Sequence, residues 1–343
     1  MKKLLNTLYV TTANAYLSLD GENIVIAADA KPLGRLPLHT LDGIVTLSYT
    51  GASPALMGKC AEMNIPLTFL KPSGRFLAKV TGKAYGNILL RRGQYRLFDD
   101  KPAALGFARA VIAAKIKNSA AVVNRAVRDH GERLDGARLQ RTCDFLRTAS
   151  VQAFEADNAD TLRGIEGEAA NCYFAVFDEL ILQQKEDFFY KSRVRRPPTD
   201  NVNALLSFTY SLLTSMCVSA LETVGLDPYA GFFHTERPGR CSLALDLVEE
   251  FRACFADRFV LTLINRKMVT AKDFIQKENG GVILSDQSRR NFLSLWQEKK
   301  REILTHPFLD EKVEWGMLPY VQAMLLARCL RGDLDAYPPF LWK

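Results

Sequence analysis

Asp160-Thr161-Leu162-Arg163-Gly164-Ile165-Glu166-Gly167-Glu168-Ala169-Ala170-Asn171-Cys172-Tyr173-Phe174 is the stretch from which the rest of the chain can be read. Its apolar residues return every three or four positions. Leu162, Ile165, Ala169 and Tyr173, with Val176, Phe177 and Leu180 beyond them, fall on one arc of a helix. Glu166 lies inside that arc, whereas Glu168 lies on the opposite, solvent side. A carboxylate turned toward a core is costly unless it is paired, protonated or bound to a metal. The spacing therefore predicts a helix carrying a carboxylate that needs a partner.

Outward from this helix the chain divides into two halves of different period. Strands are predicted over 4–12, 15–29, 43–49, 66–70 and 75–81, each bounded by turn-forming residues, with one short helix over 53–63. Asp20-Gly21-Glu22-Asn23 folds the second of these segments into a hairpin. From Tyr85 onward the period becomes helical, which predicts helices over 103–130, 137–153, 159–182, 201–224, 242–253, 271–278, 286–304 and 311–330. The expectation is an α+β fold, with a small β-rich domain over residues 1–90 followed by a larger, all-α-helical domain over 91–343.

A partner for Glu166 stands farther along. Gly225-Leu226-Asp227-Pro228-Tyr229-Ala230-Gly231-Phe232-Phe233-His234-Thr235-Glu236-Arg237-Pro238-Gly239-Arg240-Cys241 reads as a loop, broken by Asp-Pro and Pro-Gly. It leads into a helix with Ser242 as the expected N-cap. Leu243, Ala244, Leu247, Val248 and Phe251 form its apolar side, while Asp246 and Glu249, one turn apart, share the other face. A loop histidine with these carboxylates makes a mixed nitrogen and oxygen ligand set. Such a set suits Mg²⁺ or Mn²⁺ better than a structural zinc.

A chain of 343 residues can bury a sizeable core, and 48% apolar with 24% charged residues is the balance of a water-soluble globular protein. A net charge of +7 permits an anionic partner such as DNA without requiring one. The seven cysteines are scattered and never form a close ligand pair, which argues against a disulfide frame or zinc ribbon and fits a reducing cytoplasm. Met1-Lys2-Lys3-Leu4-Leu5 is not read as a signal peptide, because Asn6 and Thr7 break its apolar run. The uncharged run over 204–221 is long enough to span a membrane, but its serines and threonines read as a central buried helix, so no membrane is expected.

Taken together, Gly164-Ile165-Glu166-Gly167, Gly225-Leu226-Asp227-Pro228 followed by His234, and Ser242-Leu243-Ala244-Leu245-Asp246-Leu247 with Glu249 resemble the CRISPR-associated adaptation integrases, the Cas1 family, in a flavour similar to subtype I-C. The resemblance runs through Arg195-Arg196-Pro197-Pro198-Thr199-Asp200 and Asn203-Ala204-Leu205-Leu206-Ser207-Phe208 to Tyr337-Pro338-Pro339-Phe340, and so covers nearly the whole chain. It implies a DNA endonuclease and integrase of CRISPR adaptation. In such an enzyme the 3′-OH of a spacer fragment attacks a phosphodiester at the border of the CRISPR repeat, with Mg²⁺ or Mn²⁺ as cofactor. It implies Glu166, His234 and Glu249 as the catalytic metal ligands, with Asp246 as a supporting neighbour. Many relatives carry aspartate where Glu249 stands. Either Glu249 reaches the metal with its longer arm, or Asp246 takes the inner position, and both stay open at this point. The resemblance also implies a homodimer made by the β domain, a complex with Cas2 and, in subtype I-C relatives, with Cas4.

Direct transfer of this kind needs no Ser, Tyr or Cys nucleophile. A metal-bound His234 cannot also accept a proton, so it is cast as a ligand. The candidates for gripping DNA are Arg193, Arg195 and Arg196, ahead of a helix capped by Asp200, and Arg237 and Arg240, beside His234. Two other readings compete: a branched-DNA nuclease or transposon-type integrase outside CRISPR immunity, and a DNA-binding scaffold whose metal site does no chemistry.

Overall fold

The computed structural model describes residues 7–12, 14–29, 31–41, 43–71, 76–80, 82 and 88–342. Positions 4–6, 75, 81 and 85, which bound predicted segments, lie outside the described residues. The β-rich half holds strands β1 (Thr7–Val10), β2 (Ala15–Asp20), β3 (Asn23–Ala28), β4 (Lys31–Pro37), β5 (Gly43–Thr46), β6 (Leu67–Leu70) and β7 (Phe76–Val80), with helix α1 (Pro54–Glu62) capped by the Ser53 hydroxyl. β2 and β3 form the predicted hairpin, and β4 extends it into a three-stranded antiparallel meander.

β4 was not predicted, and it carries Pro32, Gly34 and Pro37, residues unusual within a strand. It lies at the edge of its sheet, where a missing N–H breaks no ladder, and a bulge at Ile26/Ala27 fits its register to β3. The second sheet runs in the order β1-β5-β6-β7, parallel except for β7. β5 is buried on both faces. Ile44 joins a small core with Leu17, Leu56 and Leu67, while Val45 joins the large helical core, so this sheet seams the two halves.

The helical half comprises α2 (Ile88–Asp99), α3 (Lys101–His130), α4 (Gly136–Glu155), α5 (Ala159–Ala175), α6 (Asn201–Val224), α7 (Ser242–Phe251), α8 (Arg258–Asn265), α9 (Asp286–Arg301) and α10 (Leu318–Leu330). Two short hairpins, β8 (Phe274–Gln276) with β9 (Val282–Leu284) and β10 (Ile303–Thr305) with β11 (Lys312–Glu314), decorate it. Side chains from Asp100, Asp135, Asn158, Asp200 and Ser285 cap the helices that follow them. The apolar length of α6 is used inside the protein: Leu205, Leu206, Leu212, Leu213 and Cys217 are all buried.

Several predicted boundaries move for local reasons. The helix expected over 271–278 is instead a short turn, where Thr270 and Asp273 cap each other's backbone, followed by strand β8. The helix expected over 311–330 starts only at Leu318, after β11. Ser242 is the first residue of α7 and not its cap: Cys241 holds that position without a side-chain bond, and the Ser242 hydroxyl donates to the Thr235 carbonyl at 3.2 Å. α7 is also not two-sided. Asp246, Glu249 and Glu250 are as buried as Leu243 and Leu247, so this is a central helix surrounded by protein.

Candidate active site

α6 ends at Gly225, whose φ of +87° is a left-handed value that glycine adopts at little cost. The following loop is clamped from two sides. From α2, the buried Gln94 side chain donates to the Asp227 and Ala230 carbonyls (2.7 and 3.1 Å) and accepts from the Asp227 N–H (2.8 Å). From α7, the N–H groups of Leu243 and Ala244 donate to the Pro228 carbonyl at 3.0 and 3.2 Å. Gly231 passes so close to α7 that a Cβ there would stand 2.6 Å from the Ser242 carbonyl carbon.

The loop is thereby drawn onto Asp246, which is fully buried. Both its oxygens are engaged. Oδ2 accepts the N–H groups of Phe232 and Phe233 (2.6 and 3.1 Å), and Oδ1 accepts the His234 N–H at 2.9 Å and its ring Nδ1 at 2.6 Å. A carboxylate so placed can only accept, so Nδ1 carries the proton and Nε2 presents its lone pair. Nε2 faces Glu249 Oε1 at 3.8 Å. That gap is too long for a hydrogen bond, yet shorter than two metal–ligand bonds of about 2.1 Å laid end to end.

Glu249 is only 3% exposed and sits between cations. The Arg252 guanidinium lies 2.8 Å from Oε1, and the Lys115 ammonium of α3 lies 2.8 Å from Oε2. Oε2 is turned toward the Lys115 ammonium. Burial alone would push the Glu249 carboxyl up. Arg252 and Lys115 outweigh it and bring the pKa down to about 2. Lys115 also pairs with Glu166 Oε1, so one ammonium joins α5 to α7.

Glu166 thus faces inward as its helical position predicts, while Glu168 is exposed. Its immediate partner, though, is Lys115. Among the described residues no three His, Cys, Asp or Glu side chains are gathered to hold an ion as they stand. Lys115 is the wedge between the Glu166 carboxylate and the His234–Glu249 pair.

Arg252 opens a π-helical turn, Arg252–Asp257, between α7 and α8. Its guanidinium and that of Arg193 lie over the Tyr210 ring, 5.1 and 5.4 Å from its centroid. Tyr210 and Tyr173 donate to the buried Asp257 carboxylate at 2.5 and 3.1 Å. Arg193 itself is turned inward, donating to Val194 O, Asn203 Oδ1 and Ser207 Oγ, which makes it a brace for the loop ahead of α6. Arg195, Arg196 and Arg237 are exposed, and Arg240 is half-buried. The signal for Lys115 was present in the sequence: it interrupts the apolar face Ala108, Val111, Ile112, Ile116 of α3 as Glu166 interrupts that of α5.

The family model for CRISPR associated protein Cas1 matches residues 8–298. A CRISPR-associated endonuclease Cas1 of Chlorobaculum tepidum is 48% identical over 343 residues, covering all of both chains. Another from Rhodospirillum rubrum is 49% identical over 350 residues, again covering all of both. A Cas4 exonuclease/Cas1 endonuclease fusion of Geobacter sulfurreducens is 34% identical over 341 residues, covering 98% of this chain and 60% of the fusion. Of solved structures, a casposase bound to an integration product has a TM-score of 0.84 at 23% identity, covering 98% of this chain and 94% of that one. A Cas1 protein of Thermotoga maritima gives 0.81 at 22%, covering 98% and 100%. A chain of a Cas6-RT-Cas1–Cas2 complex gives 0.82 at 23%, covering all of this chain and 36% of that one. At such identities these three structures share the fold.

Proposed function

Since the chain belongs to the CRISPR-associated Cas1 family, we propose that it is a divalent-metal-dependent DNA endonuclease and integrase of CRISPR adaptation, which joins a spacer 3′-OH to the repeat array by transesterification. The observation that carries this reading is His234, held by the buried Asp246 through Nδ1 so that Nε2 is aimed at Glu249. This is the carboxylate–histidine arrangement that orients an imidazole toward a metal. The donors fit one Mg²⁺ or Mn²⁺: His234 Nε2, Glu249, and Glu166 once its carboxylate parts from Lys115. Asp246, with both oxygens taken, supports the inner ligands. When bound, the ion supplies Lewis acidity to the scissile phosphodiester and to the attacking hydroxyl.

The remaining residues hold charge and position. Arg252 keeps Glu249 ionised and Tyr210 fixes Arg252, while Lys115 brings a cation to the place a phosphate must approach. Arg237 and Arg240 stand on the loop that carries His234, and Arg195 and Arg196 lie ahead of α6; their side chains suit phosphate contact. Tyr16, Leu33 and Leu36 expose apolar surface on the β domain, which supports that domain as the homodimer contact. Association with Cas2 and Cas4 follows the Cas2-containing complex and the Cas4 fusion among the similar proteins. Full-length relatives named as CRISPR endonucleases favour CRISPR adaptation over a transposon role, although the fold is shared with a casposase.

The test is strand transfer of a 3′-OH fragment into a repeat-bearing duplex, with Mn²⁺ or with EDTA. Joined product with Mn²⁺ and none with EDTA is expected. Product that persists in EDTA overturns the metal mechanism, and binding without any joining or cleavage favours a scaffold.

A further inference from the structure

Away from the carboxylates, two hollows lie side by side along α3. One, of about 430 Å³, is lined by Arg125, His130, Arg133, Arg258 and Arg266, with Asp129 as its acidic residue. The other, of about 310 Å³, is lined by Lys117, Asn124, Arg128 and Arg147. Arg125 borders both, and Trp342 forms part of the second hollow's wall. Arg125 and Arg258 approach the Trp342 ring at 5.7 and 4.1 Å from its centroid. The Trp342 position is anchored: its N–H donates to Asn118 Oδ1 at 2.8 Å, and the Asn118 amide donates to the Glu250 and Phe340 carbonyls.

The cations here exceed their partners. Asp129 serves both Arg125 and Arg128, and Asp144 serves Arg147. Among the described residues Lys117, Arg133, Arg258 and Arg266 form no salt bridge. Burial and the nearby Arg125 lower the Arg258 pKa against the smaller opposing pull of Glu302 and Asp129. From Lys117 to Arg128 helix α3 rises about 16 Å, the span of about five phosphates of one strand at ~3.4 Å each. Val122, Leu180, Leu182 and Leu261 also line the first hollow, while the arginines of both hollows suit bidentate grip on phosphate.

We infer that this paired hollow is a second DNA-backbone site, distinct from the Glu166–His234–Glu249 centre, that holds the phosphodiester backbone of a duplex arm extending from the reacting end. The inference rests on the DNA-integrase reading. It places the nearest shared contact, Arg125, ten residues from Lys115, or about 15 Å along α3. Recognition is by backbone charge, without base contacts, and so is independent of sequence and steep in salt.

The test compares the full chain with Arg128→Gln/Arg133→Gln/Arg266→Gln, and separately with Trp342→Ala. Each is measured on a substrate with a long duplex arm and on one whose arm is shorter than about four base pairs, too short to reach Arg125. Affinity is read by fluorescence anisotropy over a salt series, and cleavage of the short substrate by gel. The triple variant should bind the long arm about 10- to 100-fold more weakly, with a log–log salt slope reduced by about 2 to 3. Trp342→Ala should weaken the same arm, and short-arm binding and cleavage should match the parent in both variants. Equal losses on both arms, or no loss on either, overturn the second site. Unchanged DNA binding with loss of an acidic protein partner overturns it in favour of a protein interface. If the parent chain neither binds nor cleaves the short substrate, it is the integrase reading that fails.

Discussion

Replacing Lys115 by methionine removes the ammonium shared by Glu166 and Glu249 while keeping a side chain of similar length. Both carboxylates are then left facing each other with Arg252 as the remaining contact on Glu249. At 2.8 Å, the Lys115–Glu249 attraction is about 6 kcal/mol before desolvation at an effective dielectric near 20. Breaking a buried pair from one side costs about 3–5 kcal/mol net, and Arg252 keeps this case at the low end, near ~3 kcal/mol. For a chain of this length that lowers Tm by about 4 °C in EDTA. The effect of metal runs the other way. On the proposed metal reading, a divalent ion in the parent chain must displace Lys115 from two carboxylates, whereas in Lys115→Met it meets no such competitor. Mn²⁺ should therefore bind the variant about 10- to 100-fold more tightly, by ~1.4 to ~2.8 kcal/mol. Calorimetric titration of Mn²⁺, with thermal unfolding in EDTA and in saturating Mn²⁺, measures both quantities. Mn²⁺ affinity that is unchanged or weaker in Lys115→Met would refute the reasoning, as would an unchanged Tm in EDTA.

The other outcomes follow from the same geometry. Glu166→Ala, His234→Ala and Glu249→Ala should each lose strand transfer by several orders of magnitude while retaining DNA affinity within a few-fold, as read by parallel gel and anisotropy assays. Asp246→Asn sets an amide against four donors, so it should weaken Mn²⁺ binding by about 10- to 100-fold and loosen the loop. If excess Mn²⁺ rescues Glu249→Ala but not Asp246→Asn, the two carboxylates have exchanged roles. Asp257 supplies a pH test. Burial raises its pKa to about 6 against the pull of Tyr210, Arg252 and Tyr173, so the folded state binds its proton more tightly than the unfolded chain does. Its stabilising contribution is present below about pH 4 and is lost as pH rises through about 6, roughly 3 kcal/mol in all. Unfolding curves of the parent and Asp257→Asn should diverge by that amount over this window, and parallel curves would contradict the assignment.

Periodicity alone made much of the fold legible. The β2–β3 hairpin, α3, α4 and the full length of α6 lie where their patterns placed them, because each has a clear repeat and a capping or turn residue at its ends. Misreadings arose where local signals point two ways. Thr270 with Asp273 makes a capping box that opens only a single 3-10 turn before β8, and the prolines of β4 are tolerated because that strand has a free edge. At the site, the inward Glu166 was visible as an interruption of an apolar arc. Lys115 was not found, since pairing two inward charges on helices 51 residues apart needs the tertiary structure.

α7 shows most sharply what sequence leaves undecided. Within five residues it carries Asp246, Glu249 and Glu250, all buried, and their identities as carboxylates say nothing of their separate states. Asp246 meets the loop and accepts four N–H donors, so it serves as an orienting group with no oxygen to spare. Glu249, one turn on, meets Arg252 and Lys115 and stays ionised. Glu250 points away toward the C-terminal segment, where it accepts from Tyr337 Oη (2.5 Å), Phe340 N (2.6 Å) and Gln322 Nε2 (2.9 Å). Burial nevertheless pushes its pKa up to about 7, against these three donors. This clamp gives Tyr337-Pro338-Pro339-Phe340 a physical role: it seals the back of α7 and fixes its rotation. A helix free to turn by one residue, about 100°, would bring Glu250 toward His234 and carry Glu249 into the core. The Glu250 clamp and the Asp246 loop hold opposite sides of α7, and between them they leave Glu249 as the carboxylate presented to His234 and Glu166.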